Sequence, residues 1–356
     1  MTVDAAQIEA IIGAYDATSP FSGVVLVQAQ GEAVFAKGYG WANRAEAMPN
    51  TINTRFAMAS GCKTFTSVAV CQLVDQGLLA FETRLKDCLE IAFPAFDPQI
   101  TVHHLLTHSA GIPDYFDEEV MNDYAALWHE RPIYTMRTPH DFLPMFQHEP
   151  MKFAPGERFA YSNAGFIVLG LIVEQQTGMP FPAYVETQIF APCGMADSGY
   201  FALDQLPART AYGYIENTAD QTWRTNIYAV PIVGGPDGGA FATAPDMSKF
   251  WTALFDSQLV SHAITERMLT PHMAATSMGT ETYYGYGVWM TKQESAVCSY
   301  YALGGDPGVR FLSAVHPEPG LVITVIGNTD KAIWPLYKAI VSVAVSRPRS
   351  LGPCQA

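Results

Sequence analysis

The chain has 356 residues, more than twice a usual domain, with 20 Lys plus Arg against 34 Asp plus Glu, a formal net charge of −14, and 49% hydrophobic residues. That length and apolar content exclude a small disulfide-stapled scaffold and a disordered chain. With no basic run, the footprint of a nucleic-acid binder or of a polybasic membrane patch is missing, which leaves a soluble acidic enzyme or binding protein.

The first element is an amphipathic helix carrying Ile8, Ile11, Ile12 and Tyr15. It follows Met1-Thr2-Val3-Asp4, with an acid where a secretion signal carries positive charge, so a cytoplasmic location is expected. A hairpin comes next: Val24-Val25-Leu26-Val27-Gln28-Ala29, a turn at Gln30-Gly31, and a return through Ala33 to Gly40. Phe65, Val68, Ala69, Leu73 and Val74 predict a helix from Ser60 to about Leu79, closing near Gly77. Residues 100–200 are helical in pattern and broken by Pro and Gly; the longest apolar run, Ala164 to Val173, is too short to cross a bilayer. Strands are predicted at Gly285–Met290, Arg310–Val315 and Leu321–Ile326, the last two joined as a hairpin through Pro317-Glu318-Pro319-Gly320, and a helix from Ile333 to Val345 closes the pattern. The six cysteines, Cys62, Cys71, Cys88, Cys193, Cys298 and Cys354, lack metal-type spacing and read as reduced thiols.

Strands at both ends with helices between predict an α/β chain of α+β type. One antiparallel sheet domain would use residues 1–58 and 235–348, a mainly helical domain 59–234, and the site would lie in the cleft between them.

Three stretches carry reactive chemistry. In Ser60-Gly61-Cys62-Lys63 the lysine lies one helical turn from the serine, close enough to share a proton, and the helix start supplies N–H groups for an oxyanion. Alone this pair is weak, since a serine N-cap followed by a surface lysine fits the same residues. Tyr161-Ser162-Asn163 follows a turn and leads into an apolar helix, and Leu303-Gly304-Gly305-Asp306-Pro307-Gly308 lies between strand signals. His104 and His108, four apart, could mimic two zinc ligands, but no third ligand is evident and no metal is expected. Asp237-Gly238-Gly239 reads as a Gly-rich turn before a helix, lining the cleft. Gly38-Tyr39-Gly40 lacks the rest of a dinucleotide fingerprint, and no Gly-x-Ser-x-Gly elbow occurs.

The ordered set, with Arg55-Phe56 before the serine and Leu105-Leu106-Thr107-His108-Ser109-Ala110-Gly111-Ile112-Pro113 between, resembles the serine β-lactamase-like family from about Phe21 to Asn328. That family includes class C β-lactamases, penicillin-binding DD-peptidases, D-aminopeptidases and family VIII esterases. The resemblance implies the β-lactamase/transpeptidase-like fold, no cofactor, and Ser60 as the acylated nucleophile. It implies Lys63 and Tyr161 as the proton-handling pair, with the tyrosine phenolate-like or proton-sharing. Asn163 would hold Lys63 and the substrate carbonyl, and Ser60 and Gly305 would form the oxyanion hole, with small Gly304 and Gly305 admitting substrate to the strand.

One position departs from the pattern: where family members place Lys or His two residues before the glycine at 304, this chain has Ala302. Losing that cation weakens recognition of a substrate carboxylate, so esters and small amides lacking one fit better than β-lactams or D-alanyl-D-alanine peptides. Activation of Tyr161 would then rest mainly on Lys63. Arg310 could substitute from a neighbouring strand, although a structural arginine fits it as well. The expected function is a serine hydrolase acting on a small-molecule ester or amide. β-Lactamase or D-alanyl-D-alanine carboxypeptidase activity is the alternative, and a catalytically decayed ligand-binding protein on the same fold is the alternative of another class. The motifs do not encode the acyl group or the oligomeric state.

Overall fold

The computed structural model describes residues 4–18, 20–217, 219–275, 281–294 and 296–345. Cys354 and the end of the predicted 235–348 segment lie outside them; Cys62, Cys71, Cys88, Cys193 and Cys298 are free thiols. An eight-stranded sheet is built from both ends of the chain. Its strands are β1 (Gly23–Ala29), β2 (Glu32–Tyr39), β3 (Met273–Ala274), β4 (Thr282–Tyr284), β5 (Trp289–Gln293), β6 (Ala296–Asp306), β7 (Val309–His316) and β8 (Leu321–Gly327). The spatial order is β2-β1-β8-β7-β6-β5-β4-β3, with every neighbouring pair antiparallel.

Strand alternation sorts side chains between two cores. Val25, Val27, Leu312, Ala314, Ile323 and Val325 face helices α1 (Ala5–Thr18) and α5 (Trp334–Ala344), which contribute Ile8, Ile12, Leu336 and Ile340. Val24, Leu26, Ala302, Phe311 and Ile326 face the other way, into a larger core with α2 (Lys63–Asp75), α3 (Asn163–Thr177) and α4 (Ala244–Phe255). A sheet covered on both faces explains why β1 and β8 are apolar runs instead of alternating ones. Helix α3 is likewise buried around its whole circumference from Asn163 to Val173, starts at a Ser162 cap that accepts from Gly165 N at 3.0 Å, and ends at left-handed Gly178.

The β1–β2 turn uses Gln30 and Gly31, both at positive φ, as a two-residue hairpin of right-twisting strands requires. Two predicted elements change. The Ser60 helix divides into a 3₁₀ turn at Ala59–Cys62 followed by α2, which stops at Asp75 before left-handed Gly77. Gly285–Met290 is not one strand: residues 285–288 form the turn between β4 and β5. Gly287 has φ +70°, and a Cβ there would lie 2.2 Å from Ser67 Oγ; one at Gly285 would lie 2.5 Å from Met268 O. The glycines serve close packing against α2 and the loop after residue 268, not strand extension.

Asn328, just after β8, ties together distant parts of the chain. Its Oδ1 accepts from Ser22 Oγ at 2.7 Å, and its Nδ2 donates to the carbonyls of Trp41 and Tyr212, both at 2.9 Å. Asn328→Ala leaves buried groups without these partners, and chemical denaturation is expected to show a loss of roughly 2–4 kcal/mol.

Candidate active site

Ser60 stands in the 3₁₀ turn that joins the short strand Phe56–Ala57 to α2. The turn is held by backbone: Met58 N donates to Ala240 O at 2.8 Å, and Gly239 N donates to Ala59 O at 3.2 Å. Ala59, immediately before the serine, has φ +46°, a left-handed conformation that disfavours larger L-residues and recurs where strain is held at reactive turns. Beneath the turn lies β6. A Cβ on Gly304 would lie 2.1 Å from Met58 O and 2.9 Å from Ser60 N, and one on Gly61 would lie 2.5 Å from the Phe311 ring. Both positions therefore exclude a side chain. Gly305, by contrast, is exposed at the cleft beside the serine.

Lys63 opens α2 and is 2% exposed. Its Nζ donates to Ser60 Oγ at 2.9 Å, to Asn163 Oδ1 at 2.8 Å and to Asp237 O at 2.5 Å. Three donors on three acceptors is the full complement of an ammonium group. Nζ also lies 4.9 Å from the centre of the Tyr161 ring. Burial, then the charge of Glu118, with Asp237 and Asp114 adding to it, hold the Tyr161 hydroxyl well above the ordinary phenol value against the opposing pull of the nearby Ser60 hydroxyl. Ser60, Lys63, Tyr161 and Asn163 thus converge, from two helix starts and the segment between residues 160 and 163.

Sequence reasoning missed three supports. The Gly-rich turn Asp237-Gly238-Gly239, expected to line the cleft, also gives Lys63 the Asp237 carbonyl; Gly235 N donates to Gly238 O at 2.7 Å, and the Asp237 carboxylate accepts from Tyr115. Asp114 fixes Asn163 by accepting from Asn163 N at 2.7 Å and Ala164 N at 2.9 Å, a carboxylate at the positive end of α3. Burial raises Asp114 to about 7, although these N–H groups pull the other way. His108 accepts from Ser162 N. A hydroxyl-rich Thr-His-Ser stretch followed by Gly and Asp after a helical pattern was the only sequence cue, and it carries no spacing rule.

The other singled-out residues fall as follows. Ala302 is buried on the same face of β6 as Gly304 and pairs with Ser313 across to β7. Arg310 Nη1 donates to the carbonyls of Asp306 and Val309 at 2.8 and 2.7 Å, and Nη2 lies 3.8 Å from Asp330, so its guanidinium is engaged at the rim. His104 closes a capping box with Thr101 while His108 faces Tyr161, so the two histidines serve different partners.

Over Ser60 opens a cleft of about 570 Å³, walled by Glu118, Tyr124, Asp237, Gly305 and Asp306. Burial, followed by the nearby Asp237 charge, pushes Asp306 up to about 7. Its wall is therefore acidic apart from Arg224 and Arg310.

The Beta-lactamase family model matches residues 8–342, and the chain belongs to that family. Among solved structures, the penicillin-binding protein from Bacillus halodurans is 46% identical with a TM-score of 0.88, over 94% of this chain and 98% of that one. Penicillin-binding protein 4* of Bacillus subtilis (strain 168) is 29% identical over 329 residues, 87% of this chain and 69% of the relative. Esterase EstB of Burkholderia gladioli is 31% identical over 227 residues, 62% of this chain and 57% of the relative. The chain is a β-lactamase-related serine hydrolase, with the antiparallel sheet and helical layers of the β-lactamase/transpeptidase fold.

Gly304→Ala forces a methyl group into the Met58 carbonyl and so moves the Ser60 turn off β6. A loss of about 100-fold or more in the rate of fluorophosphonate labelling at Ser60 is expected, read by intact-protein mass spectrometry.

Proposed function

We propose that the protein hydrolyses carboxylic esters or small amides that lack a free carboxylate, through an acyl-enzyme at Ser60. The observation that carries this reading is the hydrogen-bonded set of Ser60, Lys63 and Asn163, with Tyr161 against Lys63, on a strand where position 302 is a core-packed alanine instead of a cation.

Ser60 Oγ attacks the acyl carbonyl, and the developing oxyanion is met by the N–H groups of Ser60 and Gly305. Of the two states considered for Tyr161, the acidic, dry surroundings favour the protonated one, so the phenol relays. It takes the Ser60 proton as its own proton passes to the leaving alkoxide or amine. Lys63 stays an ammonium through this step, steadying negative charge as it builds between Ser60 and Tyr161. Asn163 fixes Lys63 through Oδ1, and its Nδ2, which donates to the Phe116 carbonyl at 3.4 Å, is the group that meets the substrate carbonyl. Departure of the leaving group yields the ester of Ser60. Water then adds along the same path, giving its proton to Tyr161 while Tyr161 returns one to Ser60, and the carboxylic acid is released.

The test is a panel of a chromogenic short-chain ester, a chromogenic cephalosporin and a D-alanyl-D-alanine peptide, run with wild type and Ser60→Ala. Ester turnover that vanishes in Ser60→Ala is expected. Cephalosporin or peptide turnover far above ester turnover would replace this reading with a β-lactamase or carboxypeptidase. Absence of both turnover and a fluorophosphonate adduct would leave a binding protein.

Asp306, Asp237 and Glu118 along one wall favour acyl groups bearing a positive charge over anionic ones. Because Asp306 titrates at about 7, it is neutral below that pH and ionised above it. A trimethylammonium acyl ester, measured against its uncharged tert-butyl isostere so that only the protein titrates, should gain in relative kcat/KM between pH 6 and pH 8. That gain should disappear in Asp306→Asn.

A further inference from the structure

Tyr161 is fixed from outside the catalytic set. We propose that His108 is a positioning residue for Tyr161, holding the peptide groups on both sides of it so that the phenol lies between Ser60 and the leaving group. The inference rests on the serine-hydrolase mechanism above and adds to it a residue hydrogen-bonded to neither Ser60 nor Lys63.

His108 reaches Tyr161 in three ways. Its carbonyl accepts from Ala160 N at 2.8 Å, so the residue before the tyrosine is tied to it. Its ring Nδ1 accepts from Ser162 N at 3.0 Å, so the residue after the tyrosine is tied as well. The imidazole also packs against the Tyr161 ring, 4.4 Å between centroids and tilted by 38°. A left-handed backbone, φ +55°, accompanies this arrangement. Phe166 and Tyr284 close the other sides of the ring, at 4.9 and 4.7 Å.

The protonation state follows from the contacts. Nδ1 accepts a backbone N–H, so it carries no proton; burial, and then the Lys63 charge, keep the imidazole neutral, which places its proton on Nε2. Nε2 is buried and has no hydrogen-bond partner. A phenylalanine would fill the same aromatic pocket without that unsatisfied donor. What the histidine supplies in exchange is the acceptor for Ser162 N–H, a group at the N-cap of α3 that would otherwise be left unpaired between Tyr161 and Asn163. Without this tie the Tyr161 backbone can pivot, and a displacement of about 1 Å at a proton-transferring atom costs on the order of 100-fold in rate.

This role predicts a dependence on the leaving group. An alkoxide needs the Tyr161 proton to depart, whereas a nitrophenolate leaves as an anion. The experiment compares ethyl and p-nitrophenyl esters of one acid in wild type and in His108→Phe, His108→Asn and His108→Gln. Asn places its oxygen where Nδ1 was, whereas Gln places it toward Nε2. Both esters need Tyr161 to take the Ser60 proton and only the ethyl ester also needs a proton on its leaving group, so in kcat/KM, which reports acylation, His108→Phe should lose about 100-fold on the ethyl ester and about 10-fold on the nitrophenyl ester. His108→Asn should recover at least about 10-fold of the ethyl-ester loss, and His108→Gln should not. Labelling of Ser60 by a fluorophosphonate in each variant shows that the site is folded. Equal losses on the two esters, or His108→Gln matching His108→Asn, would overturn the positioning role. Wild type inactive on both esters would remove the hydrolase mechanism itself.

Discussion

The buried ammonium of Lys63 is the constraint around which the rest of the molecule is arranged. A charge taken out of water is tolerated only when each of its donors finds an acceptor. The three acceptors come from three separate stretches of chain: Ser60 from the turn before α2, Asn163 from the start of α3, and the Asp237 carbonyl from the Gly-rich segment before α4. Satisfying one lysine therefore brings the two motifs of the active site together. The hydrogen bonds that hold the fold at this point are the ones that orient Ser60.

Around that charge the protein places negative groups instead of a second cation. Asp114, Asp237 and Asp306 are raised toward neutrality by burial, and Tyr161 keeps its proton more tightly than a free phenol. A site that sets the buried Lys63 among several reluctant acids has a different repertoire from one with a second buried cation beside the serine. On the proposed reading its tyrosine passes a proton along instead of holding a negative charge, and the cations nearest a substrate, Arg224 and Arg310, stand on the cleft wall. Ala302, packed in the core behind Gly304, belongs with this choice.

The sheet was legible because β1 and β8 are β-branched runs bounded by turns, and the candidate catalytic set because Ser-x-x-Lys, Tyr-x-Asn and the Gly304-Gly305 pair occur in order with their flanks. What escaped detection is of another kind. The Asp237 carbonyl is a main-chain atom and leaves no mark on residue type. Asp114 and His108 act on backbone N–H groups about 50 positions away, so no local spacing announces them. The turn at 285–288 carries a strand-like pattern because Tyr286 and Val288 are apolar. Both are buried, but around a turn whose glycines press on α2, and a hydrophobic pattern alone does not separate these cases.

The contact between Gly304 and the Met58–Ser60 turn joins backbone to backbone, while the cleft above it is walled mostly by loops, from Tyr115 to Tyr124 and from Arg224 to Ile232. The seat of Ser60 is thus set by main-chain contacts, whereas cleft residues such as Glu118 and Asp237 act on the site through Tyr161 and Lys63. On the proposed reading, substrate preference can drift, or be redirected in the laboratory, by rewriting loop residues other than these while the Ser60 turn keeps its place. Changes to the strand beneath Ser60 would have no such freedom.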